Sequence, residues 1–281
     1  MMKKLFFATV LLAAWFSLVA FTGSTFNPVN AQREGFTQQL FDQFIEMRVG
    51  KGEPVYWYCY GELYAYPTGK LLAKVEGIDT DRLVKAANGK SQADTAVQLS
   101  RKIFVYRDPA TNAILREVNG QRVKHIEYPY QMITYRLNGN AVTTAVEQGV
   151  APRIQKIEGS TPITARRFGE LNIFSAPLFL NIETPRGKYE AYENYDFLRQ
   201  PKKTGAPQYQ LSWNRYGDQP AFYGPGRSMI QLLAYRVDRY QDLPATIREF
   251  LDKEAPLWRQ PPKDIEEIRQ LQKGETPQGK N

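Results

Sequence analysis

The sequence contains little of the chemistry on which common catalytic and metal sites depend. Its 281 residues include one cysteine, Cys59, and one histidine, His125. A single cysteine excludes an intramolecular disulfide, and a single histidine excludes a metal centre that needs several histidine ligands. The chain also lacks a glycine-rich phosphate-binding loop, a dinucleotide-binding glycine pattern and a nucleophile elbow. We therefore predict no metal and no cofactor, and the question of enzymatic activity stays open at this point.

Long hydrophobic runs are scarce, and the one at the amino terminus predicts export. Lys3 and Lys4 precede an uncharged apolar run from Leu5 to Phe21, and the polar stretch that follows ends with Val29-Asn30-Ala31. This order is typical of a secretory signal, so we expect cleavage after Ala31 and release into the periplasm or an equivalent extracytoplasmic space. The alternative is an uncleaved membrane anchor, because the run is only slightly shorter than a spanning helix of about 20 residues.

Positive charge exceeds negative charge, with a formal net charge of +8. Removal of residues 1–31 removes two lysines and no acid, which lowers the net charge to +6. A positive surface favours anionic partners, among them an anionic membrane surface. Nucleic acid is not expected as a partner, because the protein is expected to leave the cytoplasm.

Tyrosine is abundant in one stretch, Glu53 to Tyr66, where side chains alternate with period two. Such alternation is typical of a β-strand, whose successive side chains point to opposite faces of the sheet. One face would carry Tyr56, Tyr58, Tyr60, Glu62, Tyr64 and Tyr66. The other would carry Val55, Trp57, Cys59, Gly61, Leu63 and Ala65. The pattern therefore predicts a strand with a row of phenols on one side and a compact apolar set on the other.

Turn signals elsewhere predict many short antiparallel strands. Asn119-Gly120 and Asn138-Gly139 are strong hairpin signals. Pro129 interrupts a long extended stretch, which indicates an edge position or a bulge. The stretch from Asp79 to Asn88 also allows a short helix. We predict a mainly β fold, an antiparallel meander that forms a barrel or strongly curved sheet, with short helices at the N- and C-terminal ends.

The two ends of the mature chain carry the helix signals. Thr37 can cap a helix with apolar residues on one face, and Asp264 can cap a last amphipathic helix. The predicted domain organisation is a signal peptide over 1–31, a single β-rich domain over 32–262, and a C-terminal helix with a disordered tail over 263–281.

The phenol row suggests a binding site for a small molecule. Tyrosines that line a cavity offer flat apolar surface together with hydroxyl groups that orient a ligand. The leading hypothesis is an exported barrel that binds a small apolar or amphipathic molecule, with Arg215 and Glu62 orienting it. Glu62 is expected either to reach water or to pair with an arginine, for which Arg215 and Arg227 are the candidates. The predicted ligand-binding residues are Tyr56, Tyr58, Tyr60, Tyr64, Trp213 and Arg215. The alternative for the row is ordinary packing under a helix or against neighbouring strands.

Two other functions fit the same sequence. The protein could be an enzyme, an isomerase or hydrolase acting on a hydrophobic substrate, with acid–base groups from tyrosine and from Glu62, His125 and Glu127. It could also be an envelope interaction protein that has no pocket and uses its aromatic and basic surfaces. A structural role for His125, held by hydrogen bonds, is the simpler interpretation of that residue.

Three motifs together resemble a known family. They are G-x-G-E-P-V-Y-W-Y at Gly50 to Tyr58, S-W-N-R at Ser212 to Arg215, and A-P-L-W-R-Q-P-P at Ala255 to Pro262. On these motifs the chain resembles DUF1838, a largely bacterial domain family of unknown function, over roughly Phe41 to Pro262. The resemblance implies one domain over nearly the whole mature chain and brings no activity, cofactor or catalytic residue with it.

Export gives the first testable prediction. When the full-length chain is expressed in a host with a secretory pathway, the mature protein should begin at Gln32. Intact mass measurement of the extracytoplasmic fraction should give the mass of residues 32–281. An Ala31→Leu variant should retain the leader, because signal peptidase requires a small residue at that position. Recovery of the full-length wild-type mass in the membrane fraction would instead identify an uncleaved anchor.

Overall fold

The computed structural model describes residues 32–84, 93–149, 153–158, 161–184, 187–203 and 205–274. Twelve of its strands form one antiparallel sheet. In chain order they are β1 Gln32–Glu34, β2 Val55–Tyr66, β3 Leu71–Val84, β4 Thr95–Arg107, β7 Ile126–Asn138, β8 Ala141–Gln148, β9 Gln155–Glu158, β10 Thr164–Phe168, β11 Leu171–Thr184, β12 Gly187–Arg199, β13 Tyr209–Asp218 and β14 Arg227–Val237. A two-residue hairpin is formed by β5 Glu117–Val118 and β6 Gln121–Arg122.

The sheet consists of two meanders joined side by side. Its strand order is β1-β10-β11-β12-β13-β14-β2-β3-β4-β7-β8-β9, so that β14, the last strand, pairs with β2. The sheet curls into a half-barrel whose two margins approach each other. The N–H of Ile163 donates to the carbonyl of Val142 at 2.8 Å, and the N–H of Phe36 donates to the carbonyl of Asn140 at the same distance. The curl gives the sheet an inner and an outer face.

Two glycines permit close approach of neighbouring strands on the inner face. A Cβ atom on Gly61 would lie 1.9 Å from the carbonyl oxygen of Gln231, and one on Gly77 would lie 2.1 Å from that of Ile103. Both contacts are with backbone, so a side chain at either position would force the strands apart. The curl therefore depends on glycine at these two places.

A helix closes one end of the half-barrel. Helix α1, Gln38–Val49, begins after Thr37, whose hydroxyl accepts from the N–H of Leu40 at 3.2 Å. Its Phe44 is fully buried and lies 5.4 Å from the ring of Tyr135 on β7, 5.4 Å from that of Phe174 on β11 and 5.8 Å from that of Phe197 on β12. One side chain thus joins strands from both meanders. The opposite end holds a 3₁₀ helix, Ala221–Tyr223, whose Phe222 packs on Tyr106.

The C-terminal segment covers part of the outer face. It contains helix α2, Ala245–Glu254, a 3₁₀ helix, Pro256–Arg259, and helix α3, Ile265–Gln272, capped by Asp264. Trp258 donates its indole N–H to the carbonyls of Lys102 at 3.0 Å and Tyr128 at 3.2 Å. These carbonyls flank an irregularity in the β4–β7 ladder, next to Pro129. The tryptophan therefore supplies a donor at the place where the regular ladder is interrupted.

The predicted fold class is confirmed, with one local correction. β2 occupies the tyrosine-rich stretch, Asn138-Gly139 joins β7 to β8, and the irregularity lies at Pro129 as expected. A helix beginning at Asp79 is wrong, because β3 pairs with β2 as far as Asp81 and with β4 as far as Val84.

Residues 1–31 and 275–281, and with them the predicted signal and tail, lie outside the described residues. Among the helices of the described ranges, none has the length and apolar character needed to cross a bilayer.

Removal of the ring that joins the two meanders gives the second prediction. Phe44→Ala should lower the free energy of unfolding by about 3–5 kcal/mol, because it leaves a cavity where three aromatic rings meet. Phe168→Ala is the matched control, since this phenylalanine is 36% exposed on a hairpin and should change stability by only about 0.5 kcal/mol. Chemical denaturation of both variants measures the difference. Equal losses in the two variants would contradict a joining role for Phe44.

Candidate functional site

The face of β2 that points into the half-barrel is the compact apolar face, and not the face that carries the tyrosines. Trp57, Cys59 and Leu63 are buried in the inner core. The tyrosines of the phenol row share one face, as period two predicts, but this is the outer face of the sheet. The expectation that the row lines the interior of the barrel is therefore corrected. The interior takes the compact set because Gly61 and the small Cys59 leave space for the curl.

The outer tyrosines have two different surroundings. Tyr56 and Tyr58 lie under the C-terminal segment, where Gln260 donates to the Tyr56 hydroxyl at 2.8 Å. The Tyr58 hydroxyl donates to Glu76 at 2.9 Å. Tyr60 and Tyr64, beyond this cover, are half-buried. Of the predicted ligand-binding residues, only Trp213 and Arg215 point into the half-barrel, so the structure does not bring the six together.

An aromatic wall forms one side of the interior. Trp213 on β13 stacks between Phe104 and Tyr195, at 5.7 Å from each ring. Trp57 contacts Phe197 edge-on at 5.9 Å. These rings come from strands of both meanders, and together they line one side of a small space in the interior.

A polar wall faces the aromatic one, and its centre is a buried guanidinium. Arg48, from the last turn of α1, pairs with Asp81 and with Asp79, the latter at 2.8 Å. Lys102 on β4 lies 3.6 Å from Asp79, and its ammonium is 5.8 Å from the ring centre of Tyr195. Two cations and two carboxyl groups thus share one buried region, where their pairing offsets part of the cost of burying them.

Amide groups extend the polar wall along β4, β7 and β8. Gln98 donates to Asp81 at 2.6 Å and accepts from the hydroxyl of Tyr135 at 2.7 Å. Gln131 donates to Gln148 at 2.5 Å, which donates to Gln155 at 2.7 Å. The interior is therefore divided, with polar groups on β3, β4, β7 and β8 and most of the aromatic groups on β2, β12 and β13.

A small cavity lies between the two walls. Its volume is about 20 Å³, and its lining includes Asp79, Lys102, Trp57 and Trp213. A space of this size holds about one water molecule. The Oδ1 atom of Asp79 is buried and has no hydrogen-bond partner, so the cavity has an unsatisfied acceptor at its edge. Ser100 Oγ and Gln131 Oε1, on the same wall, are likewise buried without a hydrogen-bond partner.

A second polar cluster lies beside Trp213, toward the other end of the interior. Glu193 accepts from the hydroxyl of Tyr195 at 2.5 Å and from the indole N–H of Trp213 at 3.2 Å. Arg215 lies 3.5 Å from the other oxygen of Glu193 and donates to the hydroxyl of Tyr189. These contacts satisfy the carboxylate of Glu193. Arg215, which was a candidate partner of Glu62, therefore pairs with Glu193 instead. The other expected partner of Glu62, Arg227, pairs with Asp218 at 2.9 Å.

The three candidate acid–base residues do not form a catalytic group. The Nδ1 atom of His125 accepts from the N–H of Tyr106 at 3.3 Å, and its ring packs on Phe250. Burial lowers the pKa of His125 to about 4, with a further contribution from Arg116. Within the described residues, no hydrogen bond or ion pair joins His125 to Glu62 or Glu127. Glu127 is exposed, and Glu62 is half-buried on the outer face.

Sequence reasoning missed the polar wall. The sequence pattern allows a short helix from Asp79, and it assigns no role to Asp81 or Lys102. The available signal was Asp79-Thr80-Asp81, which places two carboxylates on the same face of a strand. Arg48 could not be matched to them from sequence, because the pairing joins residues 31 and 33 positions apart.

The pKa of Asp81 gives the third prediction. Burial raises it to about 8, against the opposing effect of Arg48 and with support from Asp79. A carboxyl whose pKa is higher in the folded than in the unfolded state stabilises the fold most at low pH. This contribution is complete below about pH 3.8 and is lost as the pH rises toward 8. Relative to Asp81→Asn, the wild-type free energy of unfolding should fall by up to about 1.4 kcal/mol per pH unit across this range.

Denaturation of wild type, Asp81→Asn and Asp108→Asn between pH 5 and 8 measures this slope. Asp108 is exposed, and hydrogen bonds from Thr111 lower its pKa, so Asp108→Asn should match the wild-type slope. A wild-type slope identical to that of Asp81→Asn would contradict the raised pKa.

Comparisons with known proteins place the chain in one family. The chain has no match among curated proteins and none among solved structures. A family model described as "Protein of unknown function (DUF1838)" matches residues 52–272. This range runs from the turn before β2 to the end of α3, and it includes both walls of the interior except Arg48. The earlier resemblance is confirmed, and the chain belongs to the DUF1838 family.

Proposed function

We propose that this protein binds a small amphipathic molecule inside the curled sheet. In this proposal the aromatic wall holds the apolar part of the ligand, and its polar end lies between Asp79 and Lys102. The observation that carries the proposal is the buried, unpartnered Oδ1 atom of Asp79 at the edge of a cavity surrounded by aromatic rings.

The energetic argument concerns this oxygen. An unsatisfied buried acceptor costs about 1–3 kcal/mol, and more when it belongs to a charged group. A donor beside this oxygen, either a water molecule in the cavity or the polar end of a ligand, removes this cost, whereas a purely apolar ligand that displaces the water restores it. Lys102 adds spare donors, because its described contacts are one ion pair at 3.6 Å and one aromatic ring. The polar end of the ligand must therefore both donate and accept, as a hydroxyl or a primary amide does.

The size of the cavity limits the polar end to one small group. A volume of about 20 Å³ is far below the several hundred Å³ of a pocket for a drug-sized ligand. A longer apolar part enters only when the side chains of the aromatic wall change rotamer. A flat ring or an unbranched chain requires the least displacement between stacked rings.

Tyrosine chemistry favours binding over catalysis. Burial raises the pKa of Tyr135 to about 12 and that of Tyr128 to about 12, and it also raises the pKa of Tyr195. A phenol with a raised pKa donates hydrogen bonds but is a poor base or nucleophile at neutral pH. Burial likewise raises the pKa of Cys59, which makes this thiol a poor nucleophile.

Export is part of the proposal. A signal over residues 1–31 would deliver the folded domain to an extracytoplasmic space, where a soluble carrier of amphipathic molecules has an aqueous gap to bridge. The absence of disulfides in such a compartment is compatible with a large core stabilised by a buried charge network.

Occupation of the cavity by a side chain gives the fourth prediction. Ala234 is buried and lines the cavity, so Ala234→Leu should fill the space and reduce ligand occupancy at least tenfold. Wild-type protein purified without detergent from cells of its natural source should carry an additional small-molecule mass in native mass spectrometry, and the variant should not. The fluorescence of Trp57 and Trp213 should change when the released molecule is added back to the wild type.

Ala110→Leu is the matched control, since Ala110 is exposed in a turn and the substitution adds the same atoms. Overpacking can cost about 1–3 kcal/mol, so the melting temperature of each variant is measured alongside binding. The proposal is wrong if repeated wild-type preparations carry no additional mass, or if folded Ala234→Leu retains it fully.

A further inference from the structure

The outer face of β11, β12, β13, β14 and β2 carries a line of apolar side chains. By strand register, neighbours in this line pair directly across five adjacent strands. We call it the outer aromatic row, and its members are Phe179, Tyr192, Tyr216, Met229 and Tyr64. At a strand spacing of about 4.8 Å, the row is about 19 Å long.

Three of the five side chains in the row are exposed, whereas Tyr64 and Tyr216 are half-buried and the guanidinium of Arg227 lies 4.8 Å from the ring centre of Tyr216. Phe179 is 57% exposed, and Tyr192 and Met229 are each 38% exposed. The rings of Phe179 and Tyr192 are 5.0 Å apart, and Tyr66 extends the surface by packing edge-on to Tyr216 at 5.0 Å. Within the described residues the C-terminal segment packs over β3, β4 and β7 and leaves the row uncovered. Exposure of so many neighbouring rings is uncommon and marks an interaction surface.

A second line of side chains runs parallel to the first, two residues further along each strand. We call it the outer amide row, and it comprises Asn194, Asn214, Gln231 and Glu62 in register. The amide nitrogens of Asn194 and Asn214 donate to Asp196 at 2.6 Å and to Ser212 at 3.5 Å. In the described part of the chain their amide oxygens have no intramolecular donor, and Gln231 is exposed. The amide row therefore offers both acceptors and donors beside the rings.

The charges on this face determine the kind of partner. Glu62 is the one ionisable side chain of the two rows apart from tyrosines, and it lies opposite Lys74 in the β2–β3 ladder. At the margin of the face, Arg227 pairs with Asp218 at 2.9 Å. The two rows thus present no cluster of cations for a phosphate-rich or acidic partner. The matching partner is uncharged, with flat apolar faces and many hydroxyl groups.

We propose that the outer aromatic and amide rows bind a neutral glycan chain. A pyranose ring has an apolar C–H face that stacks on an aromatic ring, and its hydroxyl edge exchanges hydrogen bonds with carboxamides. A straight line of rings beside a straight line of amides fits an extended, β-linked polysaccharide rather than a helical one. This site is on the opposite face of the sheet from the interior cavity and does not depend on the proposed ligand there.

The test is affinity gel electrophoresis in gels that contain hydroxyethyl cellulose or galactomannan, both neutral and extended, or soluble starch as the helical comparison. The wild type should be retarded by at least one of the extended polymers and less by starch. Phe179→Ala/Tyr192→Ala should weaken the apparent affinity about tenfold, because two stacked rings are lost. Asn214→Ala should weaken it severalfold, and Tyr192→Phe should keep it.

Phe168→Ala is the control for an exposed phenylalanine, since Phe168 on β10 pairs with Leu171 at the far end of β11, and Leu171 is eight residues and about 26 Å from Phe179 along that strand. It should bind as the wild type does, and so should Ala234→Leu, which alters only the interior. Circular dichroism and melting temperature establish that each variant is folded. The proposal is overturned if no extended polymer retards the wild type, or if the folded double variant is retarded equally. It is also overturned if sedimentation shows a wild-type dimer that the folded Phe179→Ala/Tyr192→Ala variant no longer forms, because the row would then be an interface between copies of this chain.

Discussion

A guanidinium buried inside a β-sheet is the constraint on which the rest of this structure depends. Arg48 ends helix α1 inside the half-barrel, where a lone cation would be very costly. Asp79 and Asp81, on alternate positions of β3, pair with it and fix the rotation of the helix. The backbone around it is also held, because Trp57 donates to the Arg48 carbonyl at 3.0 Å and Arg236 donates to the carbonyls of Glu46 and Met47. The last turn of α1 thus has partners for carbonyls that no helix satisfies by itself.

The position of α1 explains why the interior has two different walls. Arg48 requires carboxylates on β3, and these carboxylates can in turn bind polar side chains on the next strands. Gln98 and Lys102 on β4 and Gln131 on β7 occupy such positions. The strands on the far side carry mostly aromatic residues, and the rings of Trp57 and Phe197 lie 6.0 and 5.6 Å from the guanidinium of Arg48. The cavity lies between the two walls, where no ring of the aromatic wall donates a hydrogen bond to Oδ1 of Asp79. The proposal of an amphipathic ligand rests on this division.

The outer face of the same sheet has a covered part and an exposed part. Over β2, β3, β4 and β7 the C-terminal segment covers tyrosines and the buried ion pair of Glu76 with Arg107. Glu76 also accepts a hydrogen bond from the hydroxyl of Thr246 at 2.7 Å. Over β11 to β14 no described segment provides a comparable cover, and the rings there are exposed. Tyrosine suits both situations, because its ring packs like phenylalanine while its hydroxyl finds either a protein partner or water. The phenol row of β2 crosses the boundary, so its members share a face without sharing a function.

The sequence by itself determined the β architecture, the strand over Val55–Tyr66 with its two faces, the capped helices at Thr37 and Asp264, and the family. These features are local: period-two alternation, caps and Asn-Gly turns act over a few residues and leave direct marks in the chain. Which face of β2 turned inward was decided only by tertiary structure, because alternation separates two faces without stating which one the curl encloses. The polar wall was decided there too, since Arg48, Asp79 and Lys102 meet only when a helix and two strands distant in sequence pack together. Desolvation and pairing of charges act through space, and the order of residues along the chain carries no record of them.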